Sequence, residues 1–392
     1  MKIAHVIPFH LQKMGGLQVF VHNLAKHQVK QGHDVWVLTH SYPGDVSDYP
    51  YKLIKIGKIK GGMRFFLIYK FIAGIYLFWL QKIHNFDVWQ VNGGYPYGVL
   101  LPDFFNRNKI PSILRCSGDD IQVSYEHHYG VRRIPKINRL IQENYQKFST
   151  AVAITNVVSD EYRNLNVPLE RIEIIPNGVD IQRISNNNSM FDIRERHQIG
   201  ENSKIILSVG RHHPKKNYEI IPKILTSLIK ENLDVYWIVI GDDTERILSQ
   251  YSEQSLTDRL ILIDELKQEN NERIEVPSSE LLEYYKQSDI FAMTSSLETF
   301  GIVLIEAMAA ALPIICFDAP GISDVMTEKC GYICKLGDTD EFTDNLKKMV
   351  KGENSNFSMN SYERAKDFDW NLVSKKYIQK YKELLAHKEY EK

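Results

Sequence analysis

Cysteine is scarce in this chain, with four residues, Cys116, Cys316, Cys330 and Cys334, among 392. The nearest pair, Cys330 and Cys334, has no second pair and no histidine at ligand spacing. That excludes a zinc-type motif and leaves buried, reduced thiols as the expectation, which suits a cytoplasm. Also missing is any uninterrupted run of the ~20 apolar residues that a membrane-spanning helix requires. The apolar stretch after Lys2 gives way at once to Pro8 and His10, so no secretory leader is expected. A large charge of one sign is absent too, the formal total being −1, and nucleic acid is not an expected partner.

The length and a hydrophobic content of 43% suit two full cores rather than one. Short apolar strands are expected at Ile3–Ile7, Val35–Thr39, Val88–Asn92, Ser112–Arg115, Ala151–Thr155 and Ile172–Ile175, with helical stretches between them. The pattern restarts at Ile205–Val209 and repeats at Val235–Ile240, Ile290–Thr294 and Pro313–Phe317. Alternation of this kind predicts parallel sheets with helices on both faces, hence an α/β protein of two domains. The expected boundaries are a first domain at 1–180, a linker at 181–201 around the turn-rich Ser185-Asn186-Asn187-Asn188-Ser189, and a second domain at 202–370. A closing helix is expected at 371–392.

Charge is uneven along the chain. Residues 1–180 hold 21 Lys+Arg against 14 Asp+Glu, so the first half is basic and the second acidic. The excess concentrates between Lys52 and His84, where Lys52, Lys55, Lys58, Lys60, Arg64, Lys70 and Lys82 meet no acid. The same stretch is rich in aromatic and aliphatic residues and predicts a helix of the first domain. Two readings stay open: a buried core helix with solvated basic neighbours, or a basic, aromatic face that touches anionic lipid or a lipid-linked acceptor.

Two strand exits carry chemistry. After the apolar run Asp289 to Met293 come Glu298, Thr299, Phe300 and Gly301, then a helical segment that ends near Pro313 and contains Glu306. A glycine opening a helix beyond a buried strand offers free N–H groups and the positive end of a helix dipole, a setting for phosphate. Glu306 sits roughly 7–8 Å along that helix, at ~1.5 Å per residue, where a carboxylate can accept from a vicinal diol. The plain alternative is a packing unit with two solvated glutamates. The other exit is Gly210-Arg211-His212-His213-Pro214-Lys215-Lys216-Asn217. Arg211 can grip a phosphate at two points and Lys216 supplies a compact charge. His212 and His213 lack partners at metal-ligand spacing.

Glu298 and Glu306, spaced E-x7-E with Phe-Gly after the first and Glu-Ala-Met-Ala around the second, resemble the signature of the retaining family-4 glycosyltransferases of the GT-B fold. The resemblance extends through Ile7-Pro8 with Gly15-Gly16, Ile175-Pro176-Asn177-Gly178-Val179-Asp180, the Arg211 loop and Phe368 to Leu385. Several spaced motifs in order are far more specific than any one of them. The resemblance implies two Rossmann-like parallel-sheet domains facing an interdomain cleft, with the closing helix at 371–392 packing back toward the first domain. It also implies a hexosyltransferase-type enzyme that takes its sugar from a nucleotide-diphosphate-sugar co-substrate, without a metal or other cofactor. Donor binding falls to Gly16, Arg211, Lys216, Glu298, Thr299, Phe300, Gly301 and Glu306, with Glu306 on ribose and Glu298 on the sugar. Glu298, Arg211, Lys216 and Asp120 are the expected catalytic residues.

The first domain is expected to hold the acceptor, a glycan or lipid-linked saccharide of cell-surface polysaccharide or glycoconjugate synthesis. Candidates there are Gly15, Asn92, Ser117 and Asp119. The family often carries histidines where this chain has Asn92 and Ser117, and serine is no base at neutral pH. Asp120 is the expected substitute, because acids recur at that offset; strand-end capping is the alternative for this group. Asp338-Thr339-Asp340 and Asp367-Phe368-Asp369 read as helix caps rather than metal ligands. The expected location is cytoplasmic, with a peripheral position at the inner face of the membrane as its extension. Rival functions are a nucleotide-sugar epimerase, a glycan phosphorylase and a non-catalytic glycan-binding subunit on the same fold.

Overall fold

The structure is a computed structural model that describes residues 1–392 except 10–14, 43, 58–65, 186–189, 251–255, 257, 265, 267–274, 354–355 and 391–392. Lys58, Lys60, Arg64 and the Asn186 to Ser189 turn therefore lie outside the described residues. The chain divides into two compact units, one made of Met1–Gly178 with Trp370–Lys392, the other of Val179–Asp369. Residues 181–201, read from the sequence as a linker, carry the short helices Ile181–Ile184 and Ile193–His197 and belong to the second unit.

The first unit is built on seven parallel strands among the described residues: β1 Lys2–Val6, β2 Asp34–Thr39, β3 Lys52–Lys55, β4 Val88–Asn92, β5 Ser112–Arg115, β6 Thr150–Ala153 and β7 Ile172–Ile174. Their order is β3-β2-β1-β4-β5-β6-β7. The order reverses at β1, which pairs β2 on one side and β4 on the other, with Ile3 opposite both Val35 and Val88. β4, β5 and β6 are buried along their whole length, as parallel strands covered on both faces must be.

The helix Trp370–Tyr390 packs on the helix Gly16–Lys30 within this unit. Phe20 and Trp370 lie 5.6 Å apart, and His27 stacks on Trp370 at 5.7 Å. Beneath them runs a closed polar network. His5 Nε2 meets Gln28 Oε1 at 2.7 Å, Gln28 donates to Tyr381 at 3.1 Å, and Tyr381 donates to Gln90 at 2.5 Å. Gln90 in turn donates to Asn92 Oδ1 at 2.8 Å. Burial holds the His5 imidazole at about 4, against a partial rise from its Gln28 hydrogen bond, so it is neutral at physiological pH.

The helix Phe66–His84 reverses the usual polarity of a surface helix. Phe71 is 70% exposed, Trp79 61% and Ile83 68%, and Ile68, Ile72 and Ile75 share their face. Lys70 instead points inward, 2.5 Å from Asp103, which Lys147 also holds at 2.9 Å. Leu77 and Leu80 are the buried contacts. The buried-core reading therefore does not hold for the outer face. Among the described residues, no helix is long and apolar enough to cross a membrane.

The second unit repeats the plan with β8 Lys204–Val209, β9 Val235–Ile240, β10 Leu260–Ile263, β11 Ile290–Met293, β12 Ile314–Phe317 and β13 Gly331–Cys334, in the order β10-β9-β8-β11-β12-β13. Trp237, Ile224, Leu225 and Leu346 anchor its core. Here the order reverses between β8 and β11. In open α/β sheets such a switch point leaves a crevice at the strands' carboxyl ends, where ligands bind.

Candidate functional site

Both chemistry-bearing loops of the second unit leave from its switch point. β8 is followed by Gly210, whose φ of +149° and close packing disfavour a side chain: a Cβ there would stand 3.1 Å from Lys216 Cε and 3.0 Å from the Tyr218 hydroxyl. The loop then turns through Pro214–Lys216 and the left-handed Asn217. It is tied to the exit of β11. Ser296 N donates to Lys215 O at 2.8 Å and Thr294 Oγ1 donates to Lys216 O at 2.7 Å. Hydrogen bonds to the Lys215 and Lys216 carbonyls thus fix the two loops before their charged side chains meet.

The side chains do meet. Lys216 Nζ lies 2.5 Å from Glu298 Oε1, and Ser295 donates to the same oxygen at 3.1 Å. Glu298 is 6% exposed. Burial alone would push its carboxyl up, but the charges of Lys216 and Lys215 and the hydrogen bonds of Lys216 and Ser295 prevail and hold it at about 2. Glu298 is therefore ionised throughout the physiological range. Arg211 stands at the mouth of the same loop, exposed, and forms no ion pair or hydrogen bond through its guanidinium among the described residues. The expected cluster is thus part locked pair and part free cation.

Past Glu298 the chain runs through buried Thr299 and Phe300, the latter edge-on to Phe368 at 5.7 Å, to Gly301. Gly301 adopts φ 78°, a left-handed conformation that favours glycine, and opens the helix Ile302–Ala309 with no side-chain cap. First-turn N–H groups are consequently open to an anion. Gly321, on the exit of β12, presses on this segment from behind. Its φ is +89°, and a Cβ would fall 2.7 Å from Thr299 O and 2.8 Å from Glu298 O. Sequence reading missed Gly321. Only the Pro-Gly pair after an apolar strand hinted at it.

Glu306 lies in the second turn of that helix, 6% exposed. The Tyr285 hydroxyl donates to its Oε2 at 2.9 Å. Burial raises the Glu306 carboxyl to about 7, against the opposing effects of Tyr285 and of the Arg183 charge. The two glutamates of one motif, similarly buried, are thus driven apart in acidity, one by two lysines and the other by their absence. Neither is the solvated glutamate of the plain alternative.

The first unit's candidates divide. Gly15, extended at φ −169°, precedes the helix that begins at Gly16, on the exit of β1; residues 10–14 of that loop are not described. Asn92, at the end of β4, is fully buried and engaged with Gln90 and with His5 at 3.3 Å. It is part of the interior network rather than of an open surface. Asp120 accepts from Gly94 N at 2.6 Å, Ser117 N at 3.0 Å and Gly118 N at 2.8 Å. Three N–H donors on two oxygens fit a carboxylate that holds two loops together. Ser117 is half-buried and Asp119 exposed beside it. Arg115 is wholly buried, with Nη2 donating to Asn177 Oδ1 and its guanidinium 3.4 Å from the Phe20 ring centre.

Among the described residues no group of three or more His, Cys, Asp or Glu is arranged to hold a metal ion. Asp338 accepts from Glu341 N at 2.9 Å as the cap of the helix Thr339–Val350. Asp367 pairs with Arg364 at 2.8 Å. His212 faces Glu219 at 3.3 Å.

Residues 14–183 match the family model described as Glycosyltransferase Family 4, and residues 189–366 match that of Glycosyl transferases group 1. The chain is 22% identical to the N-acetyl-alpha-D-glucosaminyl L-malate synthase of Bacillus anthracis, over 90% of this chain and 89% of that one. It is also 22% identical to the alpha-monoglucosyldiacylglycerol synthase of Streptococcus pneumoniae, over 84% and 74%. In structure it resembles Anabaena HepE in complex with UDP and glucose, with a TM-score of 0.76 at 17% identity, covering 97% and 99% of the two chains. The sheets, their switch points and these matches agree: the chain belongs to family 4 of the glycosyltransferases and has the GT-B fold class.

Proposed function

We propose that this glycosyltransferase is a retaining, hexosyltransferase-type enzyme that takes its sugar from a nucleotide-diphosphate donor. The acceptor is a hydroxyl of a glycan or lipid-linked saccharide, in the building of cell-surface polysaccharide or glycoconjugate. One observation carries the reading: the convergence at a single switch point of an unpaired Arg211, the Lys216–Glu298 pair and an uncapped helix start. In this reading the diphosphate lies against Arg211, Lys216 and the amides after Gly301. Negative charge grows there as the sugar leaves, and preorganised cations and dipoles stabilise it without a metal. Glu298 accepts from sugar hydroxyls, and Glu306 from the ribose diol.

The bond between the anomeric carbon and the diphosphate oxygen breaks as the acceptor oxygen bonds to the same face of that carbon. The acceptor's proton passes to the departing diphosphate. No side chain need act as a covalent nucleophile. Acceptor binding falls to the first unit, with Gly15 and Gly16 giving close backbone approach and Asp120 positioning the Gly94 and Ser117 loops. Thermal shift with a panel of UDP-, GDP- and ADP-sugars, UDP-glucose first, identifies the donor by mass-action stabilisation. The anomeric configuration of the product, read by NMR, tests retention; inversion relative to the donor would reject this route.

Epimerase and non-catalytic binder are the rivals, and nucleotide release that depends on acceptor and is lost in Glu298→Gln separates transfer from both. A cytoplasmic protein bound peripherally to the inner membrane face is the accompanying proposal. It is favoured by the outward apolar face of Phe66–His84 with exposed Lys55 and Lys82 close by in sequence.

A further inference from the structure

We infer that Tyr285 is a positioning residue for the nucleotide, fixing the Glu306 carboxylate so that one oxygen stays committed inside the protein and the other is presented to the ribose diol. The inference rests on the donor site proposed above.

Its basis is the poverty of the carboxylate's surroundings. A carboxylate this deeply buried normally holds a cation or several N–H donors. Glu306 has neither: among the described residues its single hydrogen bond is the one from Tyr285, at 2.9 Å to Oε2. Tyr285 is fully buried in the helix Ser279–Gln287, its ring 6.0 Å from that of Phe291, so its hydroxyl is held in place by packing. Arg183, from the short helix Ile181–Ile184, acts on Glu306 only through its field and forms no ion pair with it. The strands β11 and β12 and the helix Phe357–Ala365 also pack against the Glu306 helix, and nothing they bear moves its ionisation. Tyr285 therefore does two jobs with one proton. It orients the carboxylate, and it favours the ionised form that accepts from two vicinal hydroxyls.

A consequence is proton linkage. In the free protein Glu306 titrates near neutrality, at about 7. A diol that donates twice binds the carboxylate and not the acid, so affinity should fall as pH drops below that value. Removing the tyrosine hydroxyl raises the titration further, because the donor to the charged form is gone.

The experiment measures the affinity of UDP, ADP and GDP from pH 5.5 to 9.5 by calorimetry, then follows the tightest of them in Tyr285→Phe and Glu306→Gln. The 2′,3′-dideoxy form of the same nucleotide is the control. For the unmodified protein, the ribonucleotide should weaken below neutral pH and the dideoxy form should not. Tyr285→Phe should move the midpoint up by about one unit, a roughly fivefold loss at pH 7 that vanishes by pH 9. A merely structural role would weaken binding equally at every pH. Glu306→Gln should flatten the profile. Carbon-13 titration of the Glu306 carboxyl in the free protein, assigned by its loss in Glu306→Gln, gives the same shift without any nucleotide.

If no nucleotide binds the unmodified protein, the donor site itself fails and the ribose role with it. If nucleotides bind but Tyr285→Phe leaves both the binding midpoint and the carboxyl titration in place, the tyrosine inference alone is overturned.

Discussion

At the scale of single residues, the motif residues were legible and their partners were not. Glu298, Glu306, Arg211 and Lys216 could be picked from spacing, but Lys216 and Glu298 are 82 positions apart and nothing in the sequence joins them. Tyr285 reads in the sequence as one aromatic in an amphipathic helix. Asn92 and Asp120 are ambiguous for the same reason, since a polar residue at a strand end is equally suited to a ligand or to a neighbouring loop. The distinction between locked and free cations yields a prediction. Arg211→Ala should leave stability within about 0.5 kcal/mol, as for an unengaged surface side chain, while turnover drops by roughly 10²–10³. Lys216→Ala should harm both, because a buried carboxylate left without its partner costs about 3–5 kcal/mol. Chemical denaturation beside steady-state kinetics checks the pair; equal stability losses would contradict it. Glu306 predicts the opposite sign. Its folded value, about 7, lies above the 4.5 of an unfolded glutamate, so its contribution is fully present below pH 4.5 and lost as pH rises through 7. Glu306→Gln should therefore stabilise the protein at pH 8, by up to about 3 kcal/mol, and leave it unchanged at pH 4. Melting curves at the two pH values decide.

At the scale of elements, the strands that sequence reading overlooked were β3, β10 and β13, which all lie at sheet edges. An edge strand is paired on one side and often wet on a face, so its apolar run is short or interrupted, as in Lys-Leu-Ile-Lys. Central strands, buried on both faces, announced themselves. The helix Phe66–His84 could not be settled from its letters, because a rich apolar content fits a core and a surface alike. Its side chains decide by pointing out. Phe71→Ser with Trp79→Ser should thus cost little stability, both rings being exposed at 70% and 61%. The same change should abolish flotation with anionic vesicles at low salt, where each basic residue near the surface contributes on the order of 1 kcal/mol. Unaltered flotation would assign the contact elsewhere, and no flotation by the unmodified protein would dismiss it.

At the scale of the whole molecule, the two units differ in how they meet acid. His5 titrates at about 4 in the first unit against 6.5 unfolded, so stability there falls by up to about 3 kcal/mol as pH drops from 6.5 to 4. Glu298, in the second, loses its contribution only from about 4.5 down to 2. Hydrogen exchange at pH 4.5 should find the first unit opening more readily; the reverse order would refute the assignment. Transfer should also survive a strong chelator if, as proposed, Arg211 and Lys216 supply the positive charge, and loss with EDTA reversed by manganese would overturn that. The division of the chain has a further consequence, in time rather than in space. The second unit, Val179–Asp369, is one continuous stretch, whereas the first is interrupted by it and needs Trp370 onward for completion. During synthesis the second unit is whole before the first. Until the last helix emerges, Phe20 lacks Trp370 and the Gln28–Gln90 network lacks Tyr381. The first half of the message encodes the half of the enzyme that must wait, and synthesis that stops late would leave a finished second unit tethered to an open first one.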